Sequence, residues 1–221
     1  MSSLDVAAFH RAYERHPGDR ARLFAAAAAA IDVRSVLYPG SYVDVAASCV
    51  WDELTYVDTD RRAASFFDQE EAVRRLIAPN RTHTGPFSFT FVRGDYRDRL
   101  PMADASVDLL VSLYAGFVSV SCSRYLRRGG RLLVNDSHGD ASMASLQPDL
   151  RLSGVIKRRR RGYAHSVRDL DEYLQPREEG LSFDESAVRA RGRGIPFRRT
   201  AAAYIYLREP GSGEWEAASD G

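Results

Sequence analysis

Gly40 closes the segment Ser35-Val36-Leu37-Tyr38-Pro39-Gly40, and Asp58 closes Leu54-Thr55-Tyr56-Val57-Asp58, 18 residues further on. A glycine just after a strand lets the backbone come close to a ligand, because no Cβ intervenes. An acid about 20 residues past such a glycine suits a ribose, whose adjacent hydroxyls match the two carboxylate oxygens. Each residue also has a plainer reading. Gly40 could be an ordinary strand-to-helix turn, and Asp58 could cap a helix beginning near Thr59. Asp60 reads as a cap rather than a ligand.

Three more segments carry groups able to do chemistry. In Gly94-Asp95-Tyr96, Asp95 could accept the exocyclic amine of an adenine, with Tyr96 or Leu100 against the ring. Arg93, Arg97, Asp98 and Arg99 crowd it, so a solvated loop is the alternative. Tyr114 could stack on a ligand, donate a hydrogen bond, or simply pack. Asn135-Asp136-Ser137-His138-Gly139-Asp140 is the most polar cluster of the first 150 residues. His138, with an ordinary pKa near 6.5, and Asp136 are candidates for taking a proton from a substrate nucleophile. A loop histidine without a role is the alternative. A metal would require a third carboxylate beside Asn135 and Asp136. Ser112-Leu113-Tyr114 supplies none, so no metal is expected.

All these candidates fall just after short apolar runs that read as strands: 35–38, 54–58, 87–92, 107–112 and 131–135. Between them the 3–4 spacing of apolar residues predicts helices over 61–78 and 117–128, the second closing on Gly129-Gly130. Two helices over 4–16 and 20–31 precede the first strand, separated by His16-Pro17-Gly18 and with Asp19 as a cap. Apolar strands alternating with helices imply a doubly wound α/β fold, a mostly parallel sheet covered on both faces. Its ligand site lies beyond the carboxyl ends of the strands. Past residue 150 the rhythm changes. Segments 150–156 and 162–167 read as strands, 170–174 as a helical turn, and 200–208 as a last buried strand. The organisation expected is one domain over 1–208, with N-terminal helices (1–33), a ligand-binding core (34–136) and a substrate-side segment (150–199). Residues 209–221 read as a disordered tail.

Composition excludes several classes. The 221 residues are 44% hydrophobic and 28% charged, which suits a globular chain. The longest apolar stretch, Leu23 to Ile31, is short of the roughly 20 residues a membrane span needs. No basic region precedes an apolar core at the amino terminus, so a cytoplasmic protein is expected. Cys49 and Cys122 stand apart and read as two reduced, buried thiols. Net charge is +1, yet residues 151–200 hold 13 basic against 7 acidic side chains. The run Lys157-Arg158-Arg159-Arg160-Arg161 could grip phosphates of nucleic acid or an anionic substrate. It lacks the interleaved aromatics that bind single strands, so nucleic acid at 157–161 is the lesser expectation. The aromatics Tyr163, Tyr173 and Phe197 suggest that the carboxy-terminal third shapes a substrate pocket.

The order of elements resembles the class I S-adenosylmethionine-dependent methyltransferases. Tyr125-Leu126-Arg127-Arg128-Gly129-Gly130-Arg131-Leu132-Leu133-Val134 is similar to that family's helix end, Gly-Gly turn and fifth strand. Val107-Asp108-Leu109-Leu110 resembles its fourth strand, Val57-Asp58 its second-strand acid and Gly94-Asp95 its adenine-side acid. Ala201 to Leu207 is placed like its antiparallel seventh strand. The resemblance implies a Rossmann-like, seven-stranded sheet, S-adenosyl-L-methionine as cofactor and a small-molecule methyl acceptor. It implies cofactor contacts at Tyr38, Gly40, Ser41, Asp58, Gly94, Asp95, Tyr96 and Tyr114. The chain departs from the family's first motif, an acid followed by three alternating glycines. Only Gly40 matches: Tyr38 stands at the acid, and Tyr42 and Asp44 stand at two glycines. The cofactor's amino-acid end would then need other partners, such as Ser41 or Asp44. The Asp/Asn-Pro-Pro-Tyr motif of amino methylation is missing. Two alternatives stay open: a non-catalytic binding module, and transfer of the aminocarboxypropyl arm instead of the methyl group. A dinucleotide-dependent oxidoreductase would want a full Gly-x-Gly-x-x-Gly turn, which is absent.

Overall fold

The computed structural model describes residues 5–14, 16 and 18–209. Leu4, Pro17 and residues 210–221 of the expected tail lie outside them. The strands are β1 (Ser35–Pro39), β2 (Glu53–Asp58), β3 (Ser88–Arg93), β4 (Val107–Ser112), β5 (Leu126–Val134), β6 (Leu150–Arg159), β7 (Gly162–Ser166) and β8 (Ala203–Arg208). They form one sheet in the order β3-β2-β1-β4-β5-β8-β6-β7. The β3-β2-β1-β4-β5 half is parallel throughout. β8 runs antiparallel to both β5 and β6, and β6 and β7 form an antiparallel hairpin. The doubly wound α/β architecture with an antiparallel terminal strand is as expected. The strand count is eight rather than seven, because the basic segment pairs into the extra hairpin.

The apolar runs form central strands because side chains alternate across the sheet and both faces are covered. Val36, Tyr38, Leu109, Val111 and Leu133 enter the core on one face. Leu37, Leu110, Leu132 and Val134 enter the core on the other. Asp108 pins the start of β1 to β4: its Oδ2 accepts the Arg34 N–H (3.0 Å), the Ser35 N–H (2.9 Å) and the Ser35 hydroxyl (2.9 Å).

Helices α1 (Val6–Tyr13) and α2 (Asp19–Ala28) precede the sheet. Gly18, in the left-handed region at φ +71°, occupies the cap position of α2. Asp19 is therefore not the cap; its carboxylate meets Arg158 and Tyr163 instead. Between β1 and β2 the short crossover holds only a 3-10 turn, Ala46–Cys49, as its length implies. The single helix expected over 61–78 is two, α3 (Arg61–Phe67) and α4 (Glu70–Ile77). On one unbroken helix Phe67 would stand about 100° away from the stripe of Phe66, Val73 and Ile77. The break lets all four be buried. Asp60 caps α3, accepting the Arg62 N–H at 2.7 Å.

The helix expected over 117–128 is only α5 (Val118–Cys122) followed by a 3-10 turn, Ser123–Tyr125. Gly129-Gly130 is not its C-cap; both glycines lie inside β5. Pairing with β4 jumps from Val107 opposite Leu126 to Leu109 opposite Arg131. The excess residues bulge out, and Gly129 adopts φ +76° to allow it. Helices α6 (Asp140–Ser145) and α7 (Glu185–Arg191) follow β5 and the hairpin, respectively. Cys49 and Cys122 are free and buried. Among the described residues no helix is long and apolar enough to cross a membrane.

The bulge makes Gly130 sensitive to any side chain. A Cβ there would sit 2.8 Å from the Arg127 carbonyl and 2.9 Å from the Asp108 carbonyl, both backbone atoms that cannot step aside. Gly130→Ala should destabilise the fold by about 1–3 kcal/mol, read as a lower urea midpoint at unchanged slope.

Candidate functional site

Two cavities open at the carboxyl ends of the parallel strands. The larger, about 1180 Å³, lies beyond β1, β4 and β5 and is walled on its far side by α1, α2 and residues 193–204. The smaller, about 200 Å³, lies beyond β2 and β3 and is lined by Asp58, Thr59 and Gly94 to Arg97. Gly40 borders both. Its φ is +66°, and a Cβ there would fall 2.4 Å from the Ala115 methyl. The turn after β1 thus lies directly against the loop after β4. Tyr96 reinforces the contact by donating its hydroxyl to the Ala115 carbonyl.

Asp58 stands in the smaller cavity, and each of its oxygens already accepts one backbone N–H. Oδ2 takes that of Tyr42 (2.8 Å) and Oδ1 that of Asp60 (2.8 Å). A carboxylate oxygen accepts two bonds, so each retains one lone pair. Gly94, Asp95 and Tyr96 line the same cavity. Asp95, however, is engaged by Arg97, whose guanidinium forks onto both oxygens while its N–H donates to Oδ1 (2.9 Å). This pairing holds the Asp95 carboxyl down at about 2. Leu100, the other expected ring contact, is buried in the core and borders neither cavity.

Tyr38, Tyr114 and Asp136 belong to the larger cavity, so the expected site residues divide between two spaces. The Tyr38 hydroxyl donates to Asp44 Oδ2 (3.0 Å), and the same oxygen pairs with Arg20 Nε at 2.9 Å. Burial raises the Asp44 carboxyl, against the opposing pull of Arg20 and the donors around it. Ser41 is 1% exposed, borders neither cavity, and its hydroxyl has no partner among the described residues. Tyr42 (φ +50°) and Tyr114 (φ +62°), in the loops after β1 and β4, both occupy the left-handed region and both line the larger cavity. Bulky residues there store strain, of order 1–3 kcal/mol each.

The cluster after β5 separates its members. Asp136 lines the larger cavity, and its carboxylate accepts the Ser142 N–H (2.8 Å) and hydroxyl (2.8 Å). Burial, opposed by those donors, pushes its carboxyl up to about 6. Asp140 lies deeper, 2% exposed, and takes hydroxyls from Ser112 and Ser119. Burial raises it to about 6 as well. His138 is exposed and lies outside both cavities, on the turn into α6. Of the two candidates for the base, the structure brings only Asp136 to the cavity; the expectation of His138 there is corrected.

Several lining residues carried no signal at their positions in the sequence. Arg20, Tyr13 and Tyr204 line the larger cavity, as does Gly194, packed so tightly that a Cβ would lie 1.8 Å from Asp136 Oδ2. Of the three carboxy-terminal aromatics, Tyr163 lines it; Tyr173 and Phe197 are buried in the core. The basic run sits on the β6–β7 hairpin. Arg158 folds back onto Asp19 (3.2 Å) and the Tyr163 hydroxyl (2.6 Å), while Arg159, Arg160 and Arg161 are exposed. No group of three or more His, Cys, Asp and Glu among the described residues is placed to hold a metal ion.

No protein-family model matches the chain, and no curated protein sequence does. Solved structures of similar fold include several S-adenosylmethionine-dependent methyltransferases. One from Methanosarcina mazei is 13% identical with a TM-score of 0.43, over 82% of this chain and 95% of that one. The O-methyltransferase TomG from Streptomyces achromogenes, in complex with S-adenosylmethionine, is 15% identical with a TM-score of 0.43, over 72% and 84%. The 4+2 cyclase SpnF is 15% identical with a TM-score of 0.39, and the match spans 52% of this chain and less than half, 43%, of that one. Likenesses of this distance carry no substrate and no residue role across.

Asp136 and Asp140 leave a signature in the pH dependence of stability. Both carboxyls are raised on folding, so between about pH 4 and pH 6 the native state binds more protons than the unfolded chain. Their contribution is present at the acid end of that window and is lost as pH rises through about 6. Asp140→Asn should flatten the decline in chemical-denaturation free energy across that window by on the order of 2–3 kcal/mol relative to the parent. An unchanged slope would contradict the assignment.

Proposed function

We propose that the chain is an S-adenosylmethionine-dependent methyltransferase acting on a hydroxyl of a small-molecule acceptor. One observation carries the reading: Gly40 stands between a nucleoside-sized hollow holding Asp58 and a larger chamber holding Asp136. A single bound molecule lying across that glycine would have its sugar in one space and its reactive end in the other. The spare lone pairs of Asp58, inside the smaller hollow, fit the ribose diol of the cofactor.

Bound there, the cofactor supplies an electrophilic methyl group on a sulfonium. The work of this chain is to hold, orient and deprotonate. Asp58 holds the diol; Tyr96, tied to the Ala115 carbonyl, fixes the loops between which the nucleoside lies. Asp136 takes the acceptor's hydroxyl proton. Its carboxyl near 6 keeps it mostly ionised at neutral pH yet basic enough for the task. Ser142 fixes both its oxygens, so the base is aligned before the acceptor arrives. The tyrosine-lined walls exclude the water that would compete with the acceptor.

The non-catalytic reading has its own support, since Arg97 already engages Asp95 and the Tyr42 N–H already engages Asp58. Analysis of the thioether product separates the readings. S-adenosylhomocysteine marks methyl transfer, methylthioadenosine marks transfer of the aminocarboxypropyl arm, and neither product marks a binding module.

Three variants test the roles. Asp58→Asn should weaken S-adenosylmethionine roughly 10- to 100-fold in calorimetry, the loss of a hydrogen bond to a charged group. Asp136→Asn should leave that affinity unchanged, lower kcat by about 10²–10⁴-fold, and remove the limb near pH 6 from the kcat/KM profile. His138→Ala should alter neither quantity. Unchanged cofactor affinity in a folded Asp58→Asn protein would remove the core of the assignment.

A further inference from the structure

We propose that Arg20 is a receptor for a ligand carboxylate in the larger cavity, and that Asp44 and Tyr38 are positioning residues that aim it. Arg20 is the second residue of α2, and its side chain is 22% exposed where it borders the cavity. One edge of the guanidinium is fixed from behind, Nε lying 2.9 Å from Asp44 Oδ2. The Tyr13 hydroxyl hydrogen-bonds to it, and the Tyr114 ring lies 4.9 Å from its central carbon. No other side chain among the described residues pairs with it. A guanidinium carries five donors in a planar fork, so part of that fork is left facing the cavity.

Asp44 is built to hold Arg20 rather than to meet a ligand. It is 2% exposed and does not line the cavity. Its Oδ2 also accepts the Tyr38 hydroxyl (3.0 Å), and its Oδ1 accepts the Ala46 N–H (3.1 Å). The arrangement is poorly explained by stability alone. A buried ion pair gains little over well-packed apolar side chains of the same volume. A cation in the first turn of a helix also opposes the helix dipole. A charged pair kept against both costs, with its cation on the wall of a large cavity, points to an anion that enters there. Two other arginines line the cavity: Arg158 is matched by Asp19 and the Tyr163 hydroxyl, and Arg193 is exposed, with no buried carboxylate among the described residues to aim it as Asp44 aims Arg20. Glu14 accepts the Gly18 N–H at 2.6 Å. Asp136 lies on the β5 side, held by Ser142.

The carboxylate has two possible sources, the amino-acid end of the cofactor or the acceptor. The proposal rests on the methyltransferase reading only for the first. Calorimetry and thermal shift on the full chain distinguish them with two ligand pairs: S-adenosylmethionine against its decarboxylated form, and benzoate against benzamide. In the parent protein the carboxylate-bearing member of at least one pair should bind roughly 10- to 100-fold more tightly. Arg20→Met should bring that ratio to near one, and Arg20→Lys should keep part of it. Asp44→Asn should lower the ratio while leaving the neutral member's affinity unchanged, whereas a merely structural role would weaken both members alike. A parent ratio near one for both pairs overturns the proposal without needing any variant. So does an unchanged ratio in Arg20→Met that melts like the parent. If neither adenosyl compound binds while the benzoate ratio persists, the methyltransferase reading falls and the receptor stands. If S-adenosylmethionine binds and no ratio departs from one, the receptor falls and the methyltransferase reading stands.

Discussion

The hydrogen atom that stands in for a side chain at position 40 is the constraint on which the ligand edge of the sheet depends. With a Cβ there 2.4 Å from the Ala115 methyl, the turns after β1 and β4 could not touch. Because they do touch, the Ala115 carbonyl lies where Tyr96 of the β3 loop can reach it. Gly116 completes the joint at φ +89°, its missing side chain leaving room for the same hydroxyl. Three strand ends are thereby locked through one close approach. The space above the sheet is divided at that line, Asp58 and Asp95 on one side and Asp136 on the other.

The carboxylates along this edge are kept in three different electrical states, each by a different device. Asp95 has an arginine fork and is held strongly acidic. Asp44 has an arginine too, but lies so deep that burial still lifts it. Asp136 and Asp140 pair with no cation among the described residues. Serine hydroxyls and backbone N–H groups are their only compensation, and dipoles offset burial less completely than a full charge does. The result is a gradient across the sheet, from a firmly ionised acid beyond β3 to acids near neutrality beyond β5. A group that must give and take a proton is useful only at the second end.

Much of this was legible in the chain, and the limits have physical causes. β1, β2 and β4 announced themselves because a central strand buried on both faces must be apolar at nearly every position. The short crossover after Gly40 was legible because a dozen residues leave no room for a full helix. Gly129-Gly130 misled because glycine permits a left-handed residue equally at a helix end and at a bulge, and only the pairing with β4 decides between them. The hairpin strand β7 was visible as a segment, but its place in the sheet depends on β8 arriving from 40 residues away to pair with β6. His138 followed a strand as a ligand residue should, yet which way a turn residue points is set by the next element, α6, and not by its distance from the strand. Arg20 was invisible for a related reason: it lies on a surface-type helix, and only the fold carries it over the end of β1.

The turn after β1 takes its shape from side chains rather than from glycine alone. A glycine-rich turn is shaped by its backbone and leaves room for a ligand by having no side chains. Here Tyr38 sends its ring into the core, 5.9 Å from Phe24 and 6.1 Å from Tyr56, and spends its hydroxyl on Asp44. Tyr42 takes the left-handed backbone that a glycine would adopt freely. Its ring packs 5.5 Å from Tyr13 and 6.1 Å from Phe9, and its N–H is anchored on Asp58. The strain is thus held by contacts from α1, an element outside the sheet. A turn of glycines would owe its shape to nothing beyond itself. This one owes it to α1 and α2, which also wall the larger cavity, so the elements that admit a ligand and the elements that shape its seat are the same.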